Sequence, residues 1–260
     1  MNRTLNFCKR NFKELIRDPL IYVFCLGFPI VMLLLFYVIN HYSQGNTQTF
    51  ELNSLLPGIL TFSFSFVMLA MGLLVSKDRQ TFFLKRLYSS PMKAYEFVLG
   101  YAMVGVIVGL CQAIVCLVAG FITSLFSVNS FMSLGQALLL ILSQMPMLII
   151  SVSLGIIFGT LLNDKSAPGI CSVFISASGI LGGCWMPIET MGGFETFCRF
   201  LPFYPSVYIG RIITNATNAF QITYTFNSVA GFGLIPIIVC MVASIVLSFV
   251  LFNLNMTSDK

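Results

Sequence analysis

Six stretches of the chain contain no charged residue, and every Lys, Arg, Asp and Glu lies between or outside them. These stretches are residues 20–39, 55–76, 97–126, 134–162, 167–188 and 229–252. Each reaches the roughly 20 helical residues needed to cross the hydrocarbon core of a bilayer. Membrane-spanning strands alternate apolar and polar residues over about 10 positions, whereas these stretches are apolar throughout. The pattern therefore predicts an all-α integral membrane protein with six transmembrane helices.

The composition leaves no room for a large soluble domain. Soluble domains carry about 25% charged residues, but only 9% of this chain is charged and 57% is hydrophobic. The six stretches take up most of the 260 residues. We therefore expect a single transmembrane domain over residues 1–260.

The basic residues lie almost entirely on one side of the predicted membrane. With a cytoplasmic N-terminus, all of the 14 Lys and Arg residues except Arg199 and Arg211 are cytoplasmic. This positive-inside distribution predicts a multi-pass protein of the cytoplasmic (plasma) membrane, which we expect to be bacterial, with both termini in the cytoplasm. Basic residues there meet lipid phosphates, so the net charge of +5 does not call for a nucleic-acid partner.

Residues 3–18 have the pattern of a basic amphipathic helix that lies along the cytoplasmic interface. Apolar residues recur at spacings of three and four, and basic residues fill the other faces. Pro19 is expected to end this helix. The helix is either a topology anchor alone or also a contact for a cytoplasmic partner. Its candidate contact residues are Lys9, Arg10, Phe12, Lys13 and Arg17.

About 40 residues between spans five and six lie on the predicted outer side. Residues 188–205 are too short and too interrupted by prolines to span, so we expect short helices that lie on the outer face or partly re-enter the membrane. Trp185, Tyr204 and Tyr208 are expected to be interface anchors. Cys184 and Cys198 are either free thiols or a disulfide pair.

Small and amide side chains within the spans suggest how the helices pack. Glycines four residues apart, such as Gly155 and Gly159, let helix backbones approach closely. Span five is rich in small residues throughout, which favours a tightly packed, central position for it. Three glutamines lie in the spans and either hydrogen-bond between helices or line a substrate path; they are Gln112, Gln136 and Gln144.

The chemistry missing from the sequence is equally informative. No span contains Asp, Glu, His, Lys or Arg, although proton- and sodium-coupled carriers usually carry such groups at membrane depth. No HExxH or GxSxG motif indicates a membrane enzyme, and no Cys/His cluster indicates a metal site. The GxxxxGK[ST] loop that holds nucleotide phosphates is also missing.

Three motifs, in this order, carry a resemblance to a known family. An acidic residue, Asp78, follows span two and precedes a short segment that ends in Ser90-Pro91. The small-residue fifth span runs into the turn Gly183-Cys184-Trp185-Met186-Pro187. Pro205, Tyr208 and Arg211 precede the last span. Over essentially its whole length the chain resembles the permease subunits of type-2 ATP-binding-cassette (ABC) exporters. It departs from them in having no glycine between Asp78 and Pro91.

The resemblance implies a transport subunit without chemistry of its own. Two permeases, either two copies of this chain or this chain and a homologous permease, would pair with two cytoplasmic ABC ATPases. The chain would bind no cofactor directly, and the partner ATPases would use ATP and Mg. The segment Asp78–Pro91 would be the coupling helix, and the N-terminal helix would be a second contact. The candidate coupling residues of the segment Asp78–Pro91 are Asp78, Arg79, Phe83, Lys85, Arg86 and Pro91.

The resemblance also implies that spans one, two and five surround the translocation route. The candidate residues of that path or its gate are Phe62, Phe66, Ser176, Gly183, Pro187 and Glu189. The Phe-rich spans suit export of a drug-, antibiotic- or peptide-like amphiphile, but they equally suit packing against lipid. Export of a polysaccharide or glycolipid is the alternative within the family, and an ATPase-independent carrier or channel is the alternative outside it.

Overall fold

The computed structural model describes residues 2–19, 22–42, 50–81, 93–125, 132–226 and 228–258. All regular elements in these ranges are helical, which confirms the all-α prediction. The α-helices are α1 (Asn2–Ile16), α2 (Phe28–Tyr42), α3 (Leu52–Gln80), α4 (Ala94–Ser124), α5 (Leu134–Leu161), α6 (Ala167–Leu181), α7 (Gly193–Arg199), α8 (Phe203–Ile213) and α9 (Ser228–Ser258).

Five helical segments in the described residues are long and apolar enough to cross a membrane: Tyr22–Asn40, Leu52–Gln80, Ala94–Ser124, Leu134–Leu161 and Gly233–Asn255. The fifth of the six predicted stretches forms α6, a helix of only 15 residues, about 22 Å long. It ends at Leu181, well before the predicted boundary at residue 188. Gly183 has a φ of +60°, a left-handed conformation that only glycine adopts at little cost, and it turns the chain away from the helix axis.

The first span starts irregularly. Residues Tyr22–Gly27 form a π-helical segment that continues directly into α2. Pro29 lies at the second position of α2. Its ring lacks an N–H and would clash with the carbonyl oxygen four residues earlier in an α-helix. The wider π-helical turns ahead of Pro29 are consistent with that constraint.

Helix α3 is the central helix of the bundle. It contacts α1, α4, α5, α6 and α8, and almost all of its side chains are buried. Helix α6 packs one face on α3 and exposes Ile170 and Val173 on another. The expectation that span five is central therefore stays a prediction that concerns the pair of permeases.

Helices α5 and α3 approach each other closely in the core. A Cβ atom built on Gly155 would lie 2.6 Å from the backbone oxygen of Met68. A Cβ on Gly159 would lie 2.7 Å from the backbone oxygen of Gly72. Both contacts are with backbone, which has little freedom to move. The predicted use of this glycine pair for close packing is confirmed.

The buried glutamines hydrogen-bond to other helices. Gln112 Nε2 donates to the carbonyl oxygen of Ser63 at 2.8 Å. Gln144 accepts from the hydroxyls of Thr61 at 2.8 Å and Ser206 at 2.7 Å, so it joins α5 to α3 and α8. Gln136 instead caps the start of α5, where its side chain accepts from the backbone N–H of Ser133 at 2.9 Å.

Candidate functional site

A cavity of about 710 Å³ lies between the first span, α3 and α6. Of the predicted path residues, Phe62, Phe66 and Ser176 line it together. The first span contributes Phe24 and Phe28 to the same wall. These are the three elements that the family resemblance placed around the translocation route.

Aromatic rings form the apolar wall of the cavity. Phe62 and Phe66 are four residues apart on α3 and therefore share one face of that helix. Their ring centroids are 5.4 Å apart in an edge-to-face arrangement, and Phe28 from the first span lies 4.7 Å from Phe66. Both α3 rings are 5% exposed. This wall is suited to an apolar group of a ligand.

The polar groups of the cavity lie on α6 and at its predicted cytoplasmic end. The Ser172 hydroxyl donates to the carbonyl oxygen of Gly169, and the Ser176 hydroxyl donates to that of Ser172. These hydroxyls therefore keep only acceptor capacity for a ligand. Four charged residues line the cytoplasmic end, namely Glu14, Asp18, Lys77 and Asp164.

Trp185, which sequence reasoning assigned to interface anchoring, packs inside the fold at the predicted outer end of the cavity wall. Its ring lies 4.8 Å from Phe62 and 6.1 Å from Phe36. The close fit depends on Gly179, where a Cβ would lie 2.4 Å from the indole. Trp185 therefore covers Phe62 on that side. Its position directly after the Gly183 turn was the only signal for this role in the sequence.

Arg211 on α8 is the centre of a buried cluster at the predicted outer end. Its side chain is 1% exposed. It donates to the carbonyl oxygens of Gly183 at 2.8 Å and Ser54 at 3.1 Å, and to the Tyr224 hydroxyl at 3.3 Å. Its guanidinium lies 3.5 Å from the carboxylate of Glu189. The arginine thus ties the turn after α6 to the start of α3.

The predicted path residues Gly183, Pro187 and Glu189 lie in or beside this cluster and are absent from the cavity lining. Glu189 accepts a hydrogen bond from the Tyr224 hydroxyl. Burial raises the pKa of that phenol well above its usual range, so Tyr224 stays protonated and remains a donor. The assignment of Gly183, Pro187 and Glu189 to the path or its gate stays a prediction. It is now separate from the assignment of the residues that line the cavity.

The expected short helices of the outer segment form as α7 and α8, but two predicted anchors within them were wrong. Tyr204 is fully buried and Tyr208 is 7% exposed, because they pack with Ile188, Cys198 and Tyr224 in one buried cluster. Cys184 and Cys198 are both buried free thiols, so the disulfide alternative is not realised.

At the predicted cytoplasmic end, Asp78 holds the N-terminal helix to the bundle. Its side chain is 1% exposed. It accepts from Arg10 on α1 at 2.6 Å and from the Tyr101 hydroxyl on α4 at 2.7 Å. Phe7 of α1 packs edge-on against Tyr101, with 4.9 Å between ring centroids. Asp78 therefore joins three helices instead of facing solvent.

Arg79, the next predicted coupling residue, is attached to the end of α5. It donates to the carbonyl oxygen of Thr160 and lies 3.3 Å from the side-chain oxygen of Asn163. A cation is favoured there because the last carbonyls of a helix carry partial negative charge. Phe83, Lys85, Arg86 and Pro91 lie outside the described residues.

The predicted contact face of α1 remains accessible. Lys9, Lys13 and Arg17 are exposed, and Phe12 is half-buried against the core. Arg10 is the exception, since it pairs with both Asp78 and Glu14. Within the ranges that the structure describes, no group of three or more His, Cys, Asp and Glu side chains has the arrangement of a metal site.

The helical bundle has the long apolar helices of a multi-pass membrane protein, and it contains an apolar cavity between three of its elements. The family described as ABC-2 type transporter matches residues 4–215. The match includes α1 from Thr4 onward, every residue of the cavity, and the Arg211 cluster except Tyr224. The chain therefore belongs to this family and is the permease subunit of an ABC transporter, which implies a partner ATPase. A search of curated proteins finds no match.

Proposed function

We propose that this permease exports a drug-, antibiotic- or peptide-like amphiphile across the cytoplasmic membrane, driven by a separate pair of ABC ATPases. The cavity between the first span, α3 and α6 is the observation that carries the proposal. Its volume of about 710 Å³ lies in the range of sites for drug-sized ligands. Its aromatic wall favours an amphiphile over a polysaccharide, because a polysaccharide needs many hydrogen-bond partners.

A second permease, identical or homologous, would complete the cavity. Helix α6 leaves Ser172 and Ser176 exposed beside the cavity. At Gly169, one turn before Ser172, a Cβ would meet no other described part of the chain within 4 Å beyond the backbone of its own helix. Small residues on a helix face permit close approach of another membrane helix. This uncovered face supports a dimer with α6 near its interface.

The segment that starts at Asp78 would transmit the motion of the ATPases, with α1 as the second contact. Asp78 and Arg79 are the first two residues of that segment and attach the end of α3 to α1, α4 and α5. A force on the segment would therefore act on the central helix and on its neighbours together. We place the N- and C-termini and this segment in the cytoplasm, in agreement with the positive-inside distribution.

Transport by the reconstituted complex tests the proposal. The permease with its ATPase is placed in proteoliposomes, and ATP-dependent movement of fluorescent amphiphiles is measured. We expect Phe62→Ala and Phe66→Ala to change both transport and amphiphile-stimulated ATP hydrolysis. Phe121→Ala is the matched control, because Phe121 is half-exposed on the surface of α4. Equal behaviour of all three variants would contradict the role of the cavity.

A further inference from the structure

A second concave surface lies under α1 at the predicted cytoplasmic end. This cleft has a volume of about 830 Å³ and is lined by α1, the residues that follow it, and Lys77 of α3. Five cations line the cleft, namely Lys9, Arg10, Lys13, Arg17 and Lys77. Only two acidic residues, Glu14 and Asp18, line it with them. The cleft therefore carries an excess of positive charge.

The carboxylate of Glu14 is already shared by two of these cations. It lies 2.7 Å from Arg10 and 3.1 Å from Lys77. Lys9, Lys13 and Arg17 are exposed and form no ion pair with another residue in the described parts of the chain. They follow one another at intervals of four residues, a spacing at which like charges on a helix repel. An anion bound between them would relieve this repulsion.

The cationic cleft is continuous with the apolar cavity. Glu14, Asp18 and Lys77 line both of them. The cationic cleft therefore adjoins the apolar wall that contains Phe62 and Phe66, and these three residues form the rim between them. The combination matches a ligand that has an anionic group at one end and an apolar part at the other.

The surroundings of the cleft fit a ligand that arrives from the inner leaflet. Ile16 is 48% exposed and Val23 is 60% exposed, and they flank the Arg17–Pro19 part of the lining in sequence. Exposed apolar residues beside a basic helix face place such a helix at the boundary of headgroups and acyl chains. An amphiphile in that leaflet presents its head at the same depth.

We infer that the cleft and the cavity together form one binding site for an anionic amphiphile. Lys9, Lys13 and Arg17 bind its phosphate or carboxylate head, and the cavity walled by Phe62 and Phe66 holds its apolar part. This inference rests on the proposed function, because it takes the cavity as the cargo site and specifies the charge of the cargo.

The single tryptophan of the chain provides the measurement, since Trp185 contacts Phe62 in the cavity wall. The permease is placed in nanodiscs of zwitterionic lipid, and quenching of Trp185 is titrated with amphiphiles that share one bromine-tipped dodecyl tail. Their heads are phosphate, phosphocholine and trimethylammonium. We expect the phosphate probe to bind most tightly and the trimethylammonium probe least tightly.

The double variant Lys13→Gln/Arg17→Gln is expected to weaken binding of the phosphate probe about thirtyfold. Each basic residue near a membrane surface raises the affinity for an anionic group about fivefold, and the variant removes two of them. Binding of the phosphocholine probe should hold, which also shows that the variant is folded. The control Lys93→Gln/Lys165→Gln removes two exposed cations outside the cleft and should leave all three affinities unchanged.

Three results would overturn the inference: equal affinity for the three heads, equal losses in the control variant, or displacement of the phosphate probe by inorganic phosphate at the probe's own concentration. The last result would identify a site for a free anion. If the three heads bind equally well while ATP-driven transport is intact, the claim that the cargo has an anionic head is refuted and the proposed transport function stands. Failure of every probe to quench Trp185 would also remove the cavity as the cargo site.

Discussion

Asp78 and Arg211 are charged side chains that are each 1% exposed, and they lie at opposite ends of the bundle. A buried charge is stable only when it is paired and its remaining hydrogen-bonding positions are filled. Asp78 is satisfied by Arg10 and Tyr101. Arg211 is satisfied by two backbone carbonyls, Tyr224 and Glu189. At the residue scale, these two charges fix the positions of α1 and of the Gly183 turn.

Replacement of Arg211 by Gln should destabilise the protein strongly. The change removes the cationic partner of Glu189, which is 10% exposed, and leaves the carbonyl oxygens of Gly183 and Ser54 without their donor. Loss of one partner from a buried pair costs about 3–5 kcal/mol, so we expect a marked fall in Tm in detergent. The control Arg199→Gln breaks the exposed Arg199–Glu195 pair and should cost under about 1 kcal/mol. Similar Tm values for the two variants would contradict the account.

Replacing Arg10 and replacing Asp78 should lower the stability of the protein by different amounts. Arg10→Gln leaves Asp78 buried with Tyr101 as its remaining partner, at about 3 kcal/mol or more. Asp78→Asn leaves Arg10, which is 36% exposed, free to turn to solvent or Glu14, so about 1–2 kcal/mol is expected. Thermal unfolding of both single variants and the double variant measures this. The account fails if Asp78→Asn lowers the stability more than Arg10→Gln does.

At the element scale, the contact between α3 and α5 sets the architecture. Gly155 and Gly159 bring the α5 backbone against that of α3, and Gln144 adds hydrogen bonds to α3 and α8. Polar side chains that join helices in this way contribute about 0.6–2 kcal/mol each. The consequence is a rigid core around α3, with the first span and α6 forming the walls of the cavity beside it.

Gly155→Ala should loosen this core. The added methyl group would lie 2.6 Å from the backbone oxygen of Met68, so the helices must separate, at a cost of about 1–3 kcal/mol. Gly135→Ala, at the exposed start of the same helix, is the matched control. The nearest atom to its Cβ position is Ser133 Oγ at 3.9 Å, an ordinary contact distance, so a change of at most about 1 kcal/mol is expected, from helix propensity. Thermal unfolding of both variants provides the comparison. Equal effects at the two glycines would show that the contact is looser than described.

The elements that the sequence predicted well are those set by local pattern. Apolar length and charge-free stretches predicted the spans, and the three- and four-residue spacing predicted α1. The sequence did not reveal that α3 is the central helix of the chain. Small residues such as those of span five can pack against helices of the same chain or of a partner chain, and in this chain one face of α6 is exposed. Tyr204 and Tyr208 were misassigned because their burial depends on the packing of α8, which no local pattern encodes. The same holds for the partners of Arg211, which three separate segments supply.

At the scale of the whole molecule, the cavity lies beside the core and both of its ends are held by charged clusters. The Arg211 cluster and Trp185 lie toward the predicted outer end. Asp78 and Arg79, the first residues of the segment assigned to coupling, lie toward the predicted cytoplasmic end together with Arg10. A permease whose conformation is changed by an ATPase needs such a rigid link between the surface that the ATPase contacts and the walls of the cavity.

Arg86→Glu and Pro91→Leu should uncouple the permease from its ATPase. Both residues belong to the part of the predicted coupling segment that lies outside the described residues. We expect normal membrane insertion but loss of ATP-dependent transport. Lys165→Glu reverses an exposed charge elsewhere on the predicted cytoplasmic side and should leave transport intact. Transport is measured in proteoliposomes with equal amounts of permease. Unchanged rates in both coupling variants would refute the assignment of this segment.

The central claim is that this permease is driven by a separate ATPase. The most direct measurement is affinity purification of the chain from gently solubilised native membranes, followed by identification of the bound proteins and assay of ATP hydrolysis. The account predicts a stoichiometric nucleotide-binding subunit whose hydrolysis is inhibited by vanadate. A well-folded permease that brings down no ATPase would contradict the account and favour a carrier or channel that works without one.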